Sequence, residues 1–316
     1  MRKHLPVFTG LAAWLGFMTW RWPQPQGVDW IVAMLIFSPL VLMPLAVPLV
    51  GTWPGPGRGW SGLACGFAML MSFFLPSGKP AAVLVLPWLG LRALIAISAC
   101  IQFWRRRVFA PHEWCLLLAE ALPTAGAAWL FAHRLGWNVS GFDALTILLT
   151  AAHFHHAAFT LPLLAGWAAR QRTDRLSKFA CIAILIGVLE VPAGIAFAHF
   201  KHALWLEMLG VIVLASGAIA LGVHQVRLVG DARLSKVTRL TLILSGISLI
   251  AAMLLAGAYG LRAMFPESAP LMPQMWAIHG TLNAVGFGLL GVCAWRVQGR
   301  FEERATDDIG FSPVEK

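Results

Sequence analysis

Charge is what this sequence most lacks. Only 12% of its 316 residues are Asp, Glu, Lys or Arg, while 59% are hydrophobic; a soluble domain carries about 25% charged residues. The deficit argues against a water-exposed globular domain and for a chain whose solvent is mostly lipid. Tyrosine is nearly absent, with one residue against 15 Trp and 19 Phe, so the aromatics read as apolar bulk and interface anchors. The five cysteines, Cys65, Cys100, Cys115, Cys181 and Cys293, are scattered and form no CxxC pair. Neither a disulfide framework nor a thiolate metal site is indicated. Glycine-rich phosphate loops and soluble cofactor domains are also missing, which argues against an ATP-driven pump. No cleavable leader is evident: Met1-Arg-Lys-His precedes an apolar run that reads as a first transmembrane helix that stays.

What is present is apolar length. A helix needs about 20 apolar residues to cross the hydrocarbon core. Ten segments qualify, at roughly 6–22, 29–53, 59–77, 80–104, 113–135, 142–169, 178–199, 202–226, 240–261 and 273–296. Short connections with turn signals join them, such as Pro54-Gly-Pro-Gly57 and Pro76-Ser-Gly-Lys-Pro80. If the N-terminus is cytoplasmic, 18 of the 24 Lys and Arg fall on the cytoplasmic side. That bias predicts an all-α polytopic bundle of about ten spans with both termini cytoplasmic. The same distribution explains the +10 net charge as orientation and attraction to anionic lipid, not nucleic-acid binding. The expected organisation is one membrane domain over residues 1–300, then a polar cytoplasmic tail over 301–316. No five-plus-five inverted repeat is visible. The first three spans carry almost nothing ionisable and read as scaffold or lipid-facing packing.

The candidate site is organised around Leu148-Leu-Thr-Ala-Ala-His-Phe-His-His-Ala-Ala-Phe-Thr-Leu-Pro162. Three histidines within four positions of an apolar span are costly, so they are expected to have a task or a partner. His153 and His156, at i and i+3, share a face; His155 is turned about 200° from His153. Two histidines on one face suit metal ligation or proton relay, against the plainer reading of interhelical hydrogen bonds. Arg92 lies near the middle of the fourth span, where an unpaired guanidinium costs at least about 3 kcal/mol. Glu120 in the fifth span and Glu190 in the seventh are its candidate partners. Each acid also precedes a proline, in Glu120-Ala-Leu-Pro123 and Glu190-Val-Pro192. A Glu without a countercharge in low dielectric keeps its proton and can donate it, which makes Glu190 the first candidate for a functional acid. In the tenth span His279 and Asn283, at i and i+4, lie one above the other. Beside them Gly280, Ala284 and Gly288 form a small-residue seam for close helix packing. His199, Lys201 and His202 read as a solvated turn, and Glu207 and His224 as interfacial.

Several stretches together resemble the YndJ-like family of bacterial membrane proteins. They are Leu86-Pro-Trp88, Gly126-Ala-Ala-Trp129 with Arg134-Leu-Gly136, Gly141-Phe142, Leu149 through Phe159, and His279-Gly280 with Asn283 to Phe287. They cover the middle and end of the chain. The family pattern has Tyr at the position of His156, so the resemblance points to His153 and His155 as the shared pair. It implies a multi-pass protein of the bacterial inner membrane, sometimes labelled a transporter, without an activity. A shorter likeness joins His153-Phe-His155 to the His-Phe-His run of haem-copper oxidase subunit I, and His279-Gly280 to that family's second low-spin haem helix. A copper-ligand set is not recognisable here.

Three functions follow as expectations. The first is an intramembrane enzyme doing acid/base chemistry of the isomerisation or cyclisation type, or metal-assisted chemistry, on a lipophilic substrate. Glu190, His153, His155 and His279 would act, and Glu120 and Asn283 would orient. The second is a proton-coupled small-molecule transporter, and the third a haem- or metal-binding redox protein. The expected partners are membrane lipids and a lipophilic small molecule, with no nucleic acid. The cofactor, if any, and the role of His156 are left open by the residues alone.

Overall fold

A computed structural model describes residues 5–50, 58–200 and 204–308. These residues are overwhelmingly helical, and among them no strand occurs. The ten expected helices are present: α1 (Leu5–Arg21), α2 (Val28–Leu49), α3 (Arg58–Ser72), α4 (Lys79–Arg106), α5 (Pro111–Leu135), α6 (Ala144–Gln171), α7 (Arg175–His199), α8 (Trp205–Gly230), α9 (Lys236–Gly260) and α10 (Met272–Gly299). Eight of them are long and apolar enough to cross a membrane. The described parts of α1 and α3, at 17 and 15 residues, are shorter. The last helix continues to Asp308, through the start of the expected polar tail. Residues 309–316 of that tail, together with Lys201 and His202, lie outside the described residues.

Local chemistry sets the ends of the helices. Asp143 starts α6 by accepting the Thr146 N–H at 2.7 Å, and Asp174 and Ser177 form a capping box at the start of α7. Gly136, at φ +76°, ends α5 in the left-handed region. Proline breaks the regular ladder inside spans. A turn at Leu84–Val85 precedes Pro87 in α4, and α5 is divided ahead of Pro123. Two helices widen into π-helical geometry, α2 at Ser38–Leu42 and α10 at Met275–Gly280 and Leu282–Leu289. Such widening re-aims side chains and recurs at functional sites.

Of the two readings of the first spans, scaffold or lipid-facing packing, α2 departs from the lipid-facing one. Residues Ile31 to Phe37 and Leu40 to Met43 are buried in sequence, so α2 runs through the middle of the bundle beside α6. A helix that is apolar on all faces packs equally well against protein or lipid, and periodicity cannot separate the two. Tryptophan likewise does more than fill space. The indoles of Trp14, Trp30 and Trp167 donate across helices to the Ala33 carbonyl (2.8 Å), Thr281 Oγ1 (3.1 Å) and the Leu49 carbonyl (3.0 Å). The closest helix pair is α7 with α8. A Cβ on Gly187 would lie 2.6 Å from Leu214 Cα, and one on Gly217 would lie 2.7 Å from Ala183 Cβ, so the two backbones meet through glycine.

Helix ends pair into two faces. On the arginine-rich face Arg170 grips Glu113 with Nη2–Oε1 at 2.6 Å, Gln171 donates to Asp231 at 3.1 Å, and the Ser235 N–H donates to Gln298 at 3.2 Å. On the opposite face the Gly78 N–H donates to the Arg134 carbonyl at 2.7 Å, and Phe142 packs on His199 with ring centroids 4.1 Å apart. Glu207 and Arg262 pair there at 2.6 Å.

Candidate intramembrane site

Between α2 and α5 to α10 lies a cavity of about 630 Å³, mostly apolar in lining. It occupies the half of the bundle away from the arginine-rich face. Among its polar lining residues are Thr146, Thr150, His153 and His156 from α6 and His279 and Asn283 from α10. The shared face of His153 and His156 expected from their spacing therefore fronts one space. Nearer the opposite face the lining includes His199 and the Glu207–Arg262 pair.

The hydrogen bonds fix what each ring can do. A backbone carbonyl only accepts, so His279 Nδ1, 2.8 Å from the Ala252 carbonyl, carries a proton and donates it. Its Nε2 is left as the acceptor, 3.2 Å from Asn283 Nδ2, which also donates to the His279 carbonyl at 2.8 Å. The i, i+4 arrangement thus holds one tautomer with its basic nitrogen on the Asn283 side. His156 donates Nε2–H to the Met34 carbonyl at 2.7 Å, and its buried Nδ1 has no hydrogen-bond partner. His153 is half-buried and makes no hydrogen bond with any described residue.

His155 is placed differently. Its Nδ1–H donates to the Ala151 carbonyl at 2.8 Å, and its Nε2 accepts from Trp88 Nε1–H at 2.9 Å. Both nitrogens are engaged and the ring is fully buried. Gly126 of α5 makes this seat possible, since a Cβ there would fall 2.7 Å from His155 Nδ1. His155 is therefore not brought to the cavity with His153, although the family likeness pairs them. Among the described residues no group of three or more His, Cys, Asp or Glu is placed to hold a metal ion.

Neither acid meets the histidines. Glu190 does not line the cavity; it lies on the α8 side of α7, where its backbone faces Gly210, and its buried Oε2 has no hydrogen-bond partner. It is not the partner of Arg92 either. Arg92, 1% exposed, donates Nη2–H to the Glu120 backbone carbonyl at 2.7 Å and lies with Cζ 5.9 Å from the Trp88 ring centroid. Glu120 lines a second, smaller cavity of about 210 Å³ on the arginine-rich side.

Several residues at the site were not singled out from sequence. Arg262 and Tyr259 read as the far end of a span, yet the Arg262 guanidinium stacks on Tyr259 at 4.3 Å and pairs with Glu207 inside the lining. The only tyrosine of the chain was the available signal. His199, read as a solvated turn residue, is exposed but also lines the cavity. His224 is buried, with Nε2 3.3 Å from the Ala168 carbonyl. Of the small-residue seam, Ala284 is buried and Gly288 packs near Thr160, whereas Gly280 has open space around it.

An all-helical bundle with eight spanning-length helices and polar residues held in its apolar interior defines a multi-pass bacterial membrane protein. Residues 32–287 match the family model described as YndJ-like protein, and the chain belongs to that family. It is 26% identical over 205 residues to the uncharacterized membrane protein YndJ of Bacillus subtilis (strain 168). The match covers 64% of this chain and 36% of that relative, so the chain spans about a third of the length of the relative. No solved structure matches the chain.

Proposed function

We propose that the 630 Å³ cavity binds a lipophilic small molecule and that His153 and His279 exchange protons with it, as an intramembrane enzyme of the isomerisation type requires. The observation that carries this reading is the convergence of His153 with the His279–Asn283 pair on one apolar space. The volume falls in the range of small-molecule pockets, about 300–1,000 Å³, with few polar groups among apolar walls. His279 would serve as base through Nε2, with Asn283 holding its tautomer; His153 would return a proton. Glu207 and Arg262 would meet a polar end of the molecule near the face opposite the arginines. Glu190 and Glu120 take no direct part in this site. We place residues 1–300 in one membrane domain and 301–316 in a polar tail, with the arginine-rich face and both ends on the cytoplasmic side, from the charge bias.

The test is organic extraction and mass spectrometry of the detergent-purified protein beside Ala157→Trp, which fills the cavity, and His153→Ala. A lipophilic compound recovered near one per chain, absent from Ala157→Trp, supports the site. Identical extracts from all three proteins overturn it.

Proton-coupled transport is a second reading, favoured by one observation. The two cavities lie toward opposite faces and use opposite halves of the same helices: Met34 against Leu49 in α2, Trp129 against Glu113 in α5, and His153 against Arg170 in α6. Uptake of the extracted compound into proteoliposomes driven by a pH gradient, without its conversion, would favour transport over catalysis.

A further inference from the structure

The smaller cavity is a built site with a chemistry of its own. It runs inward from the arginine-rich face, past Arg106 and the Glu113–Arg170 pair, to Glu120, which is 7% exposed. At about 210 Å³ it has room for several waters, each taking about 30 Å³. Directly behind Glu120 lies Arg92, and behind Arg92 the Trp88–His155 hydrogen bond. His156, next along α6, already belongs to the histidine cavity. Arg92 and the Trp88–His155 pair thus lie between the two spaces.

We propose that this cavity is a water-filled vestibule carrying protons from the arginine-rich face to Glu120, with Arg92 as fixed countercharge and Trp88 and His155 as the seal. Water in the vestibule reaches a carboxylate that can take up and release a proton. The next group inward cannot pass it on. Arginine stays protonated, and its charge in a low-dielectric layer repels a second cation. The Trp88 indole is a donor only, and both His155 nitrogens are engaged. A proton entering from this face therefore stops at Glu120. The charged and titratable groups around it are Arg92 and Arg106 from α4, Glu113 and His112 on α5, and Arg170 from α6. From α7, Cys181 meets Cys115 one turn along. Proton uptake at Glu120 unbalances Arg92 and so loads the seal, which couples the chemical state of one face to the wall of the other cavity.

Two measurements test the vestibule independently of whether the histidine cavity binds anything. In a cysteine-free full chain, Leu117→Cys and Thr150→Cys, one in each cavity, are treated in vesicles with a membrane-impermeant cationic thiosulfonate. Exposed Phe109→Cys and Trp137→Cys report the two faces. The expected result is reaction of Leu117→Cys only from the side that reaches Phe109→Cys, and of Thr150→Cys only from the side that reaches Trp137→Cys. A Leu117→Cys that stays unreactive, or reacts from the Trp137 side, overturns the vestibule. In the otherwise native chain, infrared difference spectra between acid and neutral pH are expected to contain a protonated-carboxyl band that is lost in Glu120→Gln. Unchanged spectra in that variant overturn Glu120 as the proton site, even if labelling succeeds.

Discussion

Trp88 donates its indole N–H to Nε2 of His155 across 2.9 Å, joining α4 to α6 at the centre of the bundle. Both residues are fully buried, and the rings stack with centroids 6.0 Å apart and planes at 20°. No water can replace either partner there. Trp88→Phe keeps an aromatic ring but leaves the His155 acceptor unpaired, which costs about 1–3 kcal/mol for a buried group. The expected outcome is a clear fall in thermal stability in detergent. An unchanged melting temperature would show that the bond is incidental.

Asn283 holds the His279 tautomer through contacts of 3.2 Å to Nε2 and 2.8 Å to the backbone carbonyl. Asn283→Ala should lower retention of the co-purifying compound several-fold without loss of folding, because Asn283 is only partly buried. Asn283→Asp should do the same, since an ionised carboxylate cannot donate to Nε2. Equal retention by Asn283→Asp would remove the donor argument.

Glu190 and His153 are expected to part company. His153 fronts the cavity, while Glu190 faces α8 behind it. Glu190→Gln should therefore bind the compound like the parent chain, and His153→Ala should not. Equal losses in the two variants would put Glu190 back into the site.

The α7–α8 seam gives a packing test. Gly187→Val places new methyls where a Cβ already falls 2.6 Å from Leu214 Cα, and overpacking of this kind costs about 1–3 kcal/mol. Gly90 in α4 has no neighbour within 4 Å of its would-be Cβ, so Gly90→Ala should leave the melting temperature unchanged or raise it. The two variants moving together would contradict the seam.

Acid should act at Asp231, in the loop between α8 and α9. Hydrogen bonds from the Arg233 guanidinium, then from its backbone N–H and from Gln171, hold this carboxyl well below the usual carboxylate range. A depressed folded value means the contribution is complete above about pH 4, the ordinary aspartate value, and is lost as pH falls through the folded value. Stability of the parent chain should drop in that acid window, and Asp231→Asn should be less stable at neutral pH with a flatter acid limb. Parallel acid limbs would assign the acid sensitivity to other groups.

The sequence alone determined the class of protein, the order of its helices, and the shared face of His153 and His156. These follow from apolar length, turn chemistry and the period of the helix, which are local properties. Partner choice was out of its reach. Arg92 had two candidate acids, and only packing of α4 against α5 brought its guanidinium to the Glu120 backbone carbonyl. Glu190 lay at a plausible depth as well, but the glycine seam holds α7 so closely to α8 that this flank of the helix turns away from the cavity. The resemblance joined His153 with His155, whereas Gly126 and Trp88 draw His155 into a closed pair of hydrogen bonds. Even the central place of α2 was invisible, because lipid and protein interior are equally apolar to a side chain. Depth in the membrane is written along one helix; which neighbour each face meets is decided between helices, and only tertiary structure holds that.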